Sequence, residues 1–172
     1  MSITKVNADV LDLTDAYAFT GDVSGAGKLK QVVYADSHAI VTGSTTVALD
    51  DTIFQNSEGV EIITLAITPT ASNSILKIEF NCTFGGPSAV ACQLGLFQDT
   101  TANALSSQYQ YVYGYDQVSL LHLMTAGTTS ATTFKVRGGG ASGTVTFNGY
   151  SGSNAVGGDI PHTTLAITEI GA

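Results

Sequence analysis

The sequence predicts an all-β protein: an antiparallel β-sandwich or jelly roll with an extended N-terminal arm. Three observations predict it. From Gln31 onward the apolar residues recur with a period of two rather than 3.6. The apolar runs are short, and turn-forming residues separate them at roughly eight- to twelve-residue spacing. Beyond the arm, no stretch has the pattern of a long helix. A length of 172 residues suits one domain with a real core.

Residues 1–30 read as an arm that orders only against a partner subunit or a larger assembly. Asp9, Asp12, Asp15 and Asp22 interleave with Val10, Leu13, Tyr17 and Phe19, and Gly21, Gly25 and Gly27 follow. The 10, 13, 17 spacing allows a turn or two of helix, too short and too Gly-punctuated to fold alone. The four apolar side chains are therefore candidate interface residues, ordered against a partner.

Residues 31–172 read as the sandwich domain, with strands at 31–36, 59–68, 76–83, 89–97, 109–115, 119–124, 132–137, 144–147 and 164–170. The clearest is Leu76-Lys77-Ile78-Glu79-Phe80-Asn81-Cys82-Thr83, which alternates as a half-buried antiparallel strand does. Gly85-Gly86-Pro87 reads as a hairpin turn, which would set Cys82 and Cys92 nearly opposite each other. Such cross-strand pairs sit wider than a disulfide prefers, so buried free thiols are expected.

Composition narrows the function. The net charge is −8 with six Lys and Arg in all, so the basic footprint of a nucleic-acid binder is missing, and an acidic surface does not favour anionic lipid. No basic-then-apolar leader opens the chain, and no apolar run reaches the ~20 residues of a membrane-spanning helix. Synthesis in a cytosol, with no nucleic acid or membrane as partner, is the expectation.

Motifs for chemistry are weak. Gly138-Gly139-Gly140-Ala141-Ser142-Gly143 satisfies G-x-G-x-x-G, but a strand follows where the phosphate-binding motif needs a helix, so a glycine hairpin is expected. His38, His122 and His162 are far apart, without a zinc-type spacing, and no nucleophile elbow occurs. Asp50 and Asp51 point to opposite sides of an extended chain. The expectation is no catalytic residue, no metal and no cofactor. One stripe stands out: Tyr109, Tyr111, Tyr113 and Tyr115 alternate and so share one strand face. Tyrosine combines contact area with a polar tip, which suits a subunit interface or glycan contact, although the same stripe could equally cover the core.

Several segments resemble a domain of structural proteins of tailed bacteriophages, often tail-fibre or other fibre-like surface proteins. They are Asp50-Asp51-Thr52-Ile53-Phe54-Gln55-Asn56-Ser57-Glu58-Gly59, then 65–69, 95–105, 126–137 and 164–170, spanning roughly residues 40 to 172. The resemblance implies a β-sandwich, usually trimeric, on the outer surface of a virion made in a host bacterial cytoplasm. Phe54 departs from it, since Pro is expected there. No heptad, Gly-X-Y period or other repeat supplies a fibre shaft. A homotrimeric capsid decoration (cement) protein or short head fibre, bound to the major capsid protein, is therefore expected. The alternative is a tail-fibre tip that contacts host surface glycan through the tyrosines or the 148–162 loop.

Overall fold

The computed structural model describes residues 29–43, 45–152 and 162–172. Val10, Leu13, Tyr17 and Phe19 lie outside the described residues, as does most of the 148–162 loop. The described chain is all-β: β1 (Leu29–Ser37), β2 (Val41–Gly43), β3 (Val60–Ile67), β4 (Ile75–Gln98), β5 (Ser106–Thr125), β6 (Thr132–Gly140), β7 (Val145–Phe147) and β8 (Thr163–Ile170). Among the described residues no helix forms.

Strands that the sequence divides are continuous in space. Segments 76–83 and 89–97 are one 24-residue strand, β4, and 109–115 and 119–124 are one 20-residue strand, β5. Gly85-Gly86-Pro87 is no hairpin turn. It bends β4, with a register shift between Gly86 and Val90, an irregularity that increases local twist. Gly85 pairs with Tyr115 and Gly86 with Gly114. A Cβ on Gly85 would stand 2.7 Å from the Gly114 carbonyl oxygen, and Gly114 has φ +87°. Both strands therefore turn the same corner where neither can carry an ordinary side chain.

The bend makes two four-stranded halves from one sheet. The first half of β4 has β8 on one side and β5 on the other, with β1 beyond β8. Its second half has β6 and β5, with β3 beyond β6. In place of two separate sheets, one continuous antiparallel sheet curls round a single core, barrel-like and nearly closed. The core joins Leu76, Ile78, Phe80, Leu165 and Ile167 of one half to Leu94, Leu96, Phe134 and Val136 of the other.

Two further expectations are corrected. Gly138–Gly143 is not a hairpin: β6 and β7 do not pair with each other but follow one another along β4, at Cys92↔Gly140 and Phe84↔Phe147. The glycines carry the chain across the bend. Cys82 and Cys92 lie on the same strand, not on opposing ones. Both are buried free thiols, and burial pushes them up to about 11 and about 12 respectively.

Side chains close the seam between β1 and β3. Gln31 Nε2 of β1 donates to the Thr68 carbonyl at 2.8 Å, just past the end of β3, and to Glu169 Oε2 of β8 at 2.7 Å. Glu169 is fully buried and also accepts from Thr70 N–H at 2.9 Å, Thr70 Oγ1 at 2.7 Å and Ala71 N–H at 3.3 Å. Burial alone would raise its pKa. The Gln31 amide, the adjacent Ser74 hydroxyl and the Thr70 side chain and amide outweigh that and hold it at about 2. The Ser74 hydroxyl acts here as a neighbouring dipole, without the geometry of a full hydrogen bond.

Phe54 is also settled by packing. It is buried, meets Phe97 edge-to-face at 5.5 Å between centroids, and forms a small second core with Val47 and Phe97. Its ring lies against Gly95, where a Cβ would collide with it. An aromatic residue here anchors the 47–58 segment onto the sheet, which explains the departure from Pro.

Candidate functional site

The outer face of β5 carries the longest apolar surface. Burial alternates strictly along much of the strand: Val112, Val118 and Leu120 point into the core, so their odd-numbered neighbours point out. Tyr109, Tyr111, Tyr113 and Tyr115 are 56%, 61%, 82% and 36% exposed. The tyrosine stripe therefore faces solvent and does not cover the core. Leu121 and Leu123 extend it past the bend, both more than half exposed. These two leucines were missed in the sequence because Leu120-Leu121-His122-Leu123-Met124 is apolar on both faces. Among the described residues β5 pairs with β4 alone, so its other edge presents an open ladder of N–H and C=O groups, a template for another chain.

Register places further side chains on the same outer surface. Val32 and Tyr34 of β1 are 52% and 76% exposed. Tyr34 pairs with Ala166, Ala166 with Glu79 and Glu79 with Leu121, giving one row across four strands. Val32, Thr168, Lys77 and Leu123 form the next row. Lys77 Nζ and Glu79 Oε1 make a half-exposed ion pair at 2.8 Å between the apolar margins. A shallow depression of about 350 Å³ lies among Glu79, Asn81, Ser119, Leu121 and Thr164 on this surface.

A second constellation was not anticipated. Of the three histidines, His38 and His162 come together, because β1 and β8 pair antiparallel through Ser37↔Thr163. Asp36 and His38 are two residues apart on the same side of the chain. His38 Nε2 lies 3.4 Å from Asp36 Oδ2, His162 Nε2 lies 3.9 Å from Asp36 Oδ1, and the two rings are 5.2 Å apart between centroids. All three residues are exposed. The sequence signal was Asp-x-His at one strand's end and His at another's start, informative only once first and last strands are known to pair. His122 stands elsewhere, partly buried on β5, where burial lowers its pKa.

Beneath the histidines lies a buried hub. Asn148, at φ +58°, is 1% exposed. Its Nδ2 donates to the carbonyls of Ser37 and Ala39 at 2.9 and 3.0 Å, and its Oδ1 accepts from Thr163 Oγ1 at 2.9 Å. One amide thus fixes the backbone on both sides of His38 and the residue after His162.

The fold defines a class and no more: an all-β protein built on one curled antiparallel sheet. No family model and no curated protein sequence matches the chain. Among solved structures it is similar to the crystal structure of the bacteriophage CBA120 tailspike protein 4 enzymatically active domain, with a TM-score of 0.26 and 12% identity. That similarity covers 67% of this chain and 18% of the other.

Proposed function

We propose that this protein is a structural component of a tailed-phage virion that works by adhering to copies of itself and to a scaffold, without transforming any molecule. Within that reading, it is a homotrimeric capsid decoration protein or short head fibre. The observation that carries it is the exposed Tyr109–Tyr115 stripe, continued by Leu121 and Leu123, on a long strand with an open edge. Large amphipathic side chains at high exposure are characteristic of subunit contacts. The segments resembling phage fibre proteins support the virion role. Two facing halves around one core support a sandwich-type description of the curled sheet. Physically, a trimer at a quasi-three-fold point bridges three capsomers, and an arm reaching a neighbour adds avidity.

The test substitutes Tyr111→Ser and Tyr113→Ser together. Both side chains are solvent-exposed, so the fold persists, and light scattering reports a shift from oligomer to monomer. An unchanged mass overturns the interface. For the role, protein stripped from particles and added back binds emptied capsids; binding to tails alone would favour the tail-fibre tip, for which the same tyrosines offer glycan contact.

A further inference from the structure

We propose that Asp36, His38 and His162 form a binding site for a divalent transition-metal ion of the zinc class. Two donors, each about 2.0–2.1 Å from a tetrahedral Zn²⁺, lie roughly 3.3 Å apart. Here His38 Nε2 lies 3.4 Å from one Asp36 carboxylate oxygen and His162 Nε2 lies 3.9 Å from the other, and one donor atom from each residue falls within 4.8 Å of the other two. Movements well under the length of a side chain bring them onto one ion. Two imidazoles converging on one carboxylate offer an ion three donors, which it takes with both rings neutral and their lone pairs turned inward.

The neighbouring backbone is anchored. His38 follows the end of β1 and His162 precedes the start of the paired β8; the buried Asn148 amide holds the carbonyls of Ser37 and Ala39 on either side of His38 and the Thr163 hydroxyl beside His162. Anchoring of the residues next to each ligand limits how far the two rings can move apart. The donor set of two nitrogens and a carboxylate suits Zn²⁺, Ni²⁺ or Cu²⁺ and not the all-oxygen sites of Ca²⁺ or Mg²⁺. An ion held by these three donors has room for a fourth ligand. The bound ion would staple the end of the edge strand β1 to β8.

The experiment is a titration of the full chain with Zn²⁺, followed by calorimetry and by the visible spectrum of Co²⁺ as a stand-in. One equivalent per chain is expected, with Ca²⁺ and Mg²⁺ inert. His38→Ala and His162→Ala should each weaken binding by about tenfold or more. Both positions are exposed, so the variants should retain the parent urea midpoint. Nuclear magnetic resonance of the parent gives an independent reading: Co²⁺ should broaden the imidazole signals of His38 and His162 and spare His122. Absence of saturable binding at millimolar Zn²⁺ overturns the site. So does binding that survives His162→Ala, or broadening of all three imidazoles alike.

Discussion

Replacing Glu169 with Gln tests how the sheet is closed. The substitution keeps the side chain's shape but removes its charge and turns one acceptor into a donor. That donor must then face Gln31 Nε2, Thr70 N–H or Thr70 Oγ1, which now donate to the carboxylate at 2.7 to 3.0 Å. A carboxyl held at about 2 against an ordinary 4.5 corresponds to about 3 kcal/mol at roughly 1.36 kcal/mol per unit. Its donors Gln31 and Thr70 are themselves reached by solvent, and screening through them reduces this to about 2 kcal/mol. The folded-state pKa is depressed, so this stability is fully present above pH 4.5 and is lost as the pH falls through 2. Urea unfolding followed by far-ultraviolet circular dichroism, at intervals from pH 7 to pH 2, measures it. Urea is chosen because guanidinium would screen the charge. Glu169→Gln should be about 2 kcal/mol less stable than the parent at pH 7, with the two curves converging as pH 2 is approached. A gap that stays constant with pH would refute the reasoning, because the lost stability would then come from packing and not from the charged network.

Two further substitutions or probes follow from the core. Phe54→Ala should cost about 3 kcal/mol, within the range for emptying a buried aromatic site, and calorimetric unfolding will show it; a loss below about 1 kcal/mol would mean the 47–58 segment is not anchored there. Burial holds the Cys82 and Cys92 thiols at about 11 and about 12, so a thiol reagent at pH 8 should label both together, at the rate of global unfolding. Fast modification of either in native protein would show that the bend opens locally.

Strand character was legible in the sequence wherever one face is buried, as at Leu76 to Thr83, because alternation there reflects burial directly. The tyrosine stripe was legible for the same reason, though not which way it faces. That depends on which neighbours point inward, and Val112 decides it through pairing with Val90. The joins were not legible. Gly85-Gly86-Pro87 and Gly138–Gly143 have the composition of tight turns, yet they serve a corner turned by several strands at once, a non-local requirement for small residues. The meeting of His38 with His162 depends on β1 pairing with β8, which no local pattern encodes. The Gln31–Glu169 closure was hidden likewise, since a buried carboxylate is read from its donors and these come from two segments far from it in sequence, at Gln31 and at 70–74.

The position of β8 governs how the molecule is made. It is the final strand of the described order, yet it lies between β1 and β4, so the polypeptide emerging from a ribosome cannot complete its hydrogen bonding until the last residues of that strand are free. Until then the flanks of β1 and β4 stand unsatisfied, and the remaining ladder must form between distant parts of the chain. Such topologies assemble slowly and expose sticky margins while they wait.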